Sequence, residues 1–203
     1  MGSRLLFLAR HGEQDRPEEE ADTGLSARGR RQATLLGERL RDARLDAVHH
    51  GPLARAAETA ALVAASLPGV PVHVDDRAGD HMPHDTDPAG LPERHAAFLT
   101  QFTEAERRDG PRVTAGAVAR FATAPAEGDV RELVVTHNFL VAWLVRHALE
   151  APAHRWIGLA HANCALTVIR YSSAGPPTVL AVNDAAHLPP ELRATGLPDD
   201  YRF

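Results

Sequence analysis

The sequence contains no lysine, so all 22 of its basic residues are arginines. Without lysine the chain cannot form a Walker-type phosphate loop or a Schiff base, and it has no lysine general base. Its one cysteine, Cys164, excludes an internal disulfide and is typical of a protein in a reducing compartment. We therefore predict a cytoplasmic location.

Three other missing features limit the expected partners. The net charge of −5 comes with no basic cluster that would suit nucleic acid or an anionic membrane. The apolar runs are too short to span a bilayer, and the N-terminus lacks a signal-peptide layout. We therefore expect no nucleic-acid partner and no membrane association.

Histidine, in contrast, is abundant, with 12 residues. These histidines show no HExxH pattern and no pairing with cysteine at metal-ligand spacing, so we predict neither a metal nor another cofactor. A chain of 203 residues is long enough for one substantial core, and we expect a single domain over residues 1–203.

Two histidines follow short apolar runs that are typical of buried strands. Arg10 and His11 come soon after Leu5-Leu6-Phe7, and His137 follows residues 132–136 and precedes an amphipathic helical stretch. The ends of such strands are where open α/β sheets bind ligands, and a helix N-terminus there favours an anion. A guanidinium can bind an oxyanion that the neighbouring imidazole can attack.

A third segment has the same layout. Residues 47–50 predict a strand, and Pro52 suits the first position of a following helix. Arg55 would then lie in the first turn of that helix, where a cation is unfavourable unless it faces an anion. The three segments together predict a site for an anion such as phosphate.

The remaining pattern alternates strands with helices and predicts an α/β fold with a mainly parallel sheet covered on both faces. Asp109-Gly110-Pro111 is expected to separate two helices, and Ser26 is a candidate N-cap. The predicted helices span residues 27–42, 93–108 and 113–123; the predicted strands span 70–74, 165–171 and 179–182; residues 75–92 form a long loop.

Four segments resemble, in order, the motifs of the histidine phosphatase superfamily, the phosphoglycerate-mutase-like proteins. They are residues 8–13, 24–33, 53–60 and 134–137. The C-terminal residues 156–163 and 187–190 are similar to the branch that contains the mitochondrial phosphoglycerate-mutase-like protein phosphatase. The resemblance implies a three-layer α/β/α sandwich.

The resemblance also implies roles for four residues of the predicted anion site. His11 would be the nucleophile that becomes phosphorylated. Arg10, Arg55 and a protonated His137 would bind the phosphate group. Metal ions are not needed in such a site, because arginines and histidines provide the positive charge.

The proton donor is expected in the loop after residue 74, where members of the family usually have a glutamate. Alignment of this loop places Asp80 at that position, and aspartate can also protonate a leaving group. His81 is the rival donor, and a solvated loop acid is the alternative for Asp80. Glu13 and Thr23 are predicted to line the phosphate pocket, with a plain loop role as the alternative.

These residues predict a metal-independent phosphomonoester hydrolase that acts through a phosphohistidine. The alternatives are a phosphoglycerate-type phosphomutase and a catalytically weak phosphate-binding or scaffold protein. A mutase needs additional basic groups over its pocket, but residues 81–132 contain no lysine. The substrate would be a phosphorylated small molecule or a phosphoprotein, and a homodimer is compatible with the sequence.

Overall fold

A six-stranded sheet lies at the centre of the molecule. The computed structural model describes residues 1–15, 22–83 and 91–201. The strands are β1 (Ser3–Arg10), β2 (Ala47–His50), β3 (Val72–Val74), β4 (Asp129–Thr136), β5 (Leu166–Ser172) and β6 (Gly175–Asp184). Their order in the sheet is β3-β2-β4-β1-β5-β6. Three of the neighbouring strand pairs are parallel and two are antiparallel, which confirms the mainly parallel sheet.

Helices cover both faces of this sheet and confirm the three-layer sandwich. Alternate residues of β4 face opposite layers: Leu133 and Val135 pack with one apolar cluster, and Val134 packs with the other. The helices are α1 (Ala27–Leu40), α2 (Ala54–Ala64), α3 (Glu93–Leu99), α4 (Glu104–Phe121), α5 (Asn138–Ala148) and α6 (Pro190–Arg193). The first cluster includes residues of α1 and α2, and the second includes residues of α4 and α5.

The predicted break at Asp109-Gly110-Pro111 is wrong, because α4 runs through Pro111. The chain breaks earlier, before Thr103, whose side chain forms a capping box with Glu106. Gly110 packs so closely on the backbone of Met82 that a Cβ atom would collide with it. The helix continues through this contact, although proline removes one backbone donor.

Other element ends also differ from the expected ones. The second helix begins at Ala54 and not at Pro52, whereas Ser26 caps α1 as predicted by accepting from the Gly29 N–H. Strand β6 begins before two prolines, which an edge strand tolerates. The predicted loop contains a 3₁₀ turn at Asp76–Ala78, and its residues 84–90 lie outside the described part of the chain. Within the described ranges, every helix is too short or too polar to cross a membrane.

The parallel strands bring the predicted anion site together. Arg10 at the end of β1 pairs in register with Thr136 at the end of β4, and His50 of β2 pairs with Val135. The residues that follow these strands therefore lie at one edge of the sheet, where α2 and α5 begin.

Candidate active site

His11 lies directly after β1, and its backbone and ring contact Thr136, Gly12 and Arg55. Its backbone N–H donates to the Thr136 carbonyl over 2.9 Å, and its side chain is only 6% exposed. Its Nδ1 lies 2.7 Å from the Gly12 carbonyl oxygen, which assigns the ring proton to Nδ1. The lone pair is then on Nε2, and the Arg55 Nε–H donates to it over 3.3 Å.

Burial and positive neighbours keep this ring neutral. The pKa of His11 lies well below its usual value, mainly because burial penalises the charged form and then because His137 and Arg10 lie nearby. The His11 and His137 rings have centroids 5.0 Å apart. A neutral imidazole with a free Nε2 lone pair has the form that a nucleophile requires.

Arg55 connects the members of the site. It lies in the first turn of α2, as predicted, and its side chain is 10% exposed. Its Nη2 donates to Asp80 Oδ2 over 2.8 Å and lies 3.4 Å from His137 Nδ1. Its Nη1 lies 3.7 Å from a carboxylate oxygen of Asp22. One guanidinium thus contacts both histidines and both carboxylates.

His137 is the N-cap residue of α5 and is almost completely buried. Burial, followed by the positive charges of Arg55 and Arg10, lowers its pKa to about 3. This lowered pKa disfavours the protonated form that was expected from the sequence. Its Nε2 has no hydrogen-bond partner among the described residues. Because Nδ1 faces an arginine donor, we assign the proton to Nε2, which can then donate to an incoming anion.

Arg10 is fixed by backbone carbonyls from distant parts of the chain. Its Nη1 donates to the carbonyls of His161 over 2.8 Å and Gly196 over 2.7 Å. The His161 N–H in turn donates to Asn138 Oδ1 over 2.8 Å. These two carbonyls orient the guanidinium.

Asp80 lies beside the two predicted phosphate ligands, at the exposed rim of the site. Its side chain is 39% exposed, and its Oδ2 is 3.6 Å from His137 Nδ1 as well as in contact with Arg55. His81 instead lines a neighbouring surface cavity together with Arg77 and Arg112. The contacts of Asp80 with the site favour the aspartate as proton donor.

Glu13 and Thr23 have different surroundings. Glu13 lines a cavity next to His11, and its carboxylate accepts from the Ser26 hydroxyl over 2.7 Å. The Thr23 hydroxyl donates to the Asp15 carbonyl and accepts from Gln14 Nε2. Glu13 therefore lies at the cavity beside His11, whereas the Thr23 side chain bonds to Gln14 and Asp15.

The sequence analysis missed two residues that hold the backbone around His11. Asn163 Nδ2 donates to the His11 carbonyl over 2.8 Å, and Thr59 Oγ1 accepts from the Gly12 N–H over 3.0 Å. Both lie in segments that resemble the family, Thr59 in residues 53–60 and Asn163 in residues 156–163, so their positions were usable signals. The contact of Asn163 with a residue 152 positions away could not be predicted from spacing.

Two cavities adjoin Arg10. The first, of about 580 Å³, is lined mainly by apolar and aromatic side chains, and we call it the aromatic cavity. The second, of about 460 Å³, is lined by His11, Glu13 and Asn163 among others. Over the ranges that the structure describes, no group of three or more histidine, cysteine, aspartate or glutamate residues is arranged to hold a metal ion.

Comparison with known proteins identifies the family of the chain. Residues 6–185 match the Histidine phosphatase superfamily (branch 1). The chain is 29% identical over 196 residues to the serine/threonine-protein phosphatase Pgam5, mitochondrial, of Caenorhabditis elegans, and 29% identical over 195 residues to that of Homo sapiens. Each alignment covers 93% of this chain and 65% of the relative, so the chain spans about two thirds of the relatives' length.

Solved structures confirm the fold. Bacillus stearothermophilus YhfR superposes with a TM-score of 0.67 at 23% identity, covering 91% of this chain and 98% of that protein. A putative alpha-ribazole-5'-P phosphatase from Escherichia coli superposes with a TM-score of 0.69 at 22% identity, covering 96% of this chain and 99% of that protein.

Proposed function

This chain belongs to the histidine phosphatase superfamily (branch 1), and we propose that it hydrolyses phosphomonoesters through a phosphohistidine formed on His11. Membership of the family and the similarity to named phosphatases support phosphatase activity. The chemical steps below are derived from the contacts of the site residues.

In the first step, the phosphate oxygens bind to the guanidiniums of Arg10 and Arg55 and to the Nε2–H of His137. The His11 Nε2 lone pair forms a bond to phosphorus while the bond to the leaving oxygen breaks. The leaving oxygen takes the electron pair of that bond and a proton from Asp80, which takes up this proton from solvent when the bound phosphate displaces it from Arg55.

In the second step, water attacks the phosphorus of the phosphohistidine. Asp80, now a carboxylate, accepts the proton of that water, and the N–P bond returns its electron pair to His11 Nε2. Inorganic phosphate leaves, and the ring regains its starting form. Each residue ends the cycle as it began, so no external reactant besides water is needed.

The observation that best supports this function is the fixed tautomer of His11. The 2.7 Å contact between Nδ1 and the Gly12 carbonyl orients Nε2 toward Arg55, and the lowered pKa keeps this nitrogen unprotonated. An unprotonated imidazole nitrogen beside an arginine is the arrangement that nucleophilic attack on a phosphate group needs.

The release of inorganic phosphate distinguishes hydrolysis from the two alternatives. A mutase would transfer the phosphoryl group to a second position of its substrate and release little inorganic phosphate. A binding or scaffold protein would release none.

The relatives' names support a phosphoprotein as one substrate class, beside phosphorylated small molecules. The cytoplasmic location and the homodimer stay predictions.

The proposal is tested by release of phosphate from p-nitrophenyl phosphate in the presence of EDTA. We expect turnover that EDTA leaves intact and that vanadate inhibits, because vanadate imitates the trigonal-bipyramidal phosphoryl group. An alkaline quench should retain labelled phosphoenzyme, and an acid quench should lose it, because phosphohistidine is labile in acid. Activity that vanishes with EDTA and returns with a divalent ion would contradict the metal-independent mechanism.

A further inference from the structure

The aromatic cavity next to Arg10 has an unusual composition for this chain. The sequence has only ten aromatic residues, six Phe, two Trp and two Tyr, and four of them line this one cavity. Phe98 of α3, Phe139 of α5 and Trp156 pack edge to face, with ring centroids 5.3 to 6.1 Å apart. They form a continuous apolar wall of flat side chains.

The charges around the cavity have one sign. Arg10 and Arg94 line it, and no aspartate or glutamate is found among the lining residues that the structure describes. The second cavity contains Glu13 beside His11. A ligand with an anionic substituent is therefore favoured in the aromatic cavity over a cationic one.

The aromatic cavity adjoins one of the proposed phosphate ligands. Arg10 lines it, and so does Asn138, the residue that follows His137. Arg10 also lines the second cavity, which His11 lines as well. A phosphate bound to Arg10 would therefore lie beside both cavities.

We propose that the aromatic cavity binds the organic part of the substrate, and that this part is a flat apolar group of about one or two rings. The proposal rests on the hydrolase function, because it assigns the leaving group of that same site. A volume of about 580 Å³ is in the usual range of small-molecule sites and is much larger than a bare glycerate or phosphate needs.

Binding of phosphonates, which cannot be hydrolysed, tests the cavity without requiring turnover. We expect 2-phenylethylphosphonate to bind about tenfold or more tightly than ethylphosphonate by titration calorimetry, because burial of the added ring removes apolar area from water. Equal dissociation constants would overturn the assignment. A carboxylate on the ring should not weaken binding, whereas an ammonium group should.

Two matched substitutions locate the effect. Ala160 lines the cavity, and Ala160→Leu should reduce the preference for the phenylethyl compound about tenfold by filling the space. Ala97→Leu adds the same side chain on the exposed face of α3, one residue from Phe98 but outside the cavity, and should keep the preference. An equal loss in both variants, or in neither, would contradict the assignment.

Hydrolysis of the corresponding phosphate esters separates this proposal from the proposed function. Phenylethyl phosphate turned over more efficiently than ethyl phosphate supports both. Preferential binding without turnover of any ester would keep the cavity assignment and overturn the hydrolase. Equal turnover of the two esters would keep the hydrolase and overturn the cavity. Comparison of phenyl phosphate with a tyrosine-phosphorylated peptide then shows whether the ring comes from a free molecule or from a protein.

Discussion

Two clusters of arginine, histidine and carboxylate lie along strand β4, one around Glu132 in its middle and one beyond its C-terminal end, and they differ in their centre. The Glu132 cluster contains Arg4, His49 and Arg120. Glu132 pairs with Arg4, and its other oxygen lies 3.2 Å from both His49 Nε2 and Arg120 Nη2. The carboxylate is buried at the centre, so the cluster provides its own anion.

The cluster of Arg10, His11, Arg55, Asp80 and His137, which is proposed above as catalytic and is called the catalytic cluster below, has the opposite arrangement. Two imidazoles lie at its centre, and its carboxylate lies at the exposed rim. The buried Nε2 of His137 has no partner among the described residues, and two cavities adjoin Arg10. The same residue types therefore stabilise a fold in one place and suit an external anion in the other. The position of the carboxylate makes the difference.

The largest expected effect concerns the nucleophile. His11→Ala should lower kcat by several orders of magnitude while the protein stays folded, because no other described histidine has its Nε2 in contact with Arg55. Turnover of p-nitrophenyl phosphate measures the loss, and circular dichroism measures the fold. His50 is a matched control, since it is the last residue of β2 and its Nδ1 also lies 2.7 Å from the carbonyl oxygen of the next residue. His50→Ala should keep activity, and retained activity in His11→Ala would refute the mechanism.

The rim carboxylate should have a selective effect. Asp80→Asn should lower turnover of an alkyl phosphate about 10²- to 10⁴-fold, because the poor leaving group needs a proton. Turnover of p-nitrophenyl phosphate should fall much less. His81→Ala is the parallel variant, and the two substrates are compared at the same pH. A selective loss in His81→Ala, with small and equal losses in Asp80→Asn, would assign the proton donor to His81.

The central carboxylate of the Glu132 cluster should matter for stability and not for chemistry. Glu132→Ala leaves two arginine side chains without their anion and should lower the free energy of unfolding by about 3 to 5 kcal/mol. Urea denaturation measures this change, and kcat of the folded variant should remain. Asp109→Ala removes an exposed partner of Arg108 and should change stability little. A large loss of kcat in folded Glu132→Ala would mean that the two clusters are coupled.

Sequence reasoning found the catalytic cluster because its members follow locally recognisable elements. Arg10, His11 and His137 come after apolar runs, and Arg55 lies in a first helical turn, so each position depends on its neighbours in the chain. The contacts of Arg10 with two backbone carbonyls had no such signal, because every residue has a carbonyl. Its partners lie 151 and 186 residues away, and only the folded chain brings them together.

The helix boundaries show the same limit. The residues Asp109-Gly110-Pro111 favour a helix break on local grounds. Helix α4 nevertheless continues through them, and Gly110 packs closely on the distant Met82 backbone. Asp80 was placed by its alignment with the family, and its contact with Arg55 then depends on the loop that follows β3. Local propensity thus predicted the elements, and tertiary contacts decided their ends.

A further comparison of the two clusters uses the pH dependence of stability. Burial, the largest cause, lowers the pKa of His137 to about 3 and those of His49 and His161 to about 4. Below pH 6.5 the unfolded chain therefore binds protons that the folded chain does not. The free energy of unfolding should fall as the pH drops from 6.5 toward 4, by up to about 1.4 kcal/mol per pH unit for each histidine.

Denaturant unfolding between pH 7.5 and 4.5 measures how the free energy of unfolding depends on pH. A substitution and an added anion then show how much of this dependence comes from each cluster. His49→Gln should reduce the slope, because the variant lacks one histidine that stays neutral in the fold. Inorganic phosphate should also reduce it, since an anion beside His137 raises the pKa of that ring. Phosphate should leave the contribution of His49 unchanged, because Glu132 already occupies the centre of its cluster. Stability that is flat over this pH range would show that the buried histidines are protonated in the folded protein.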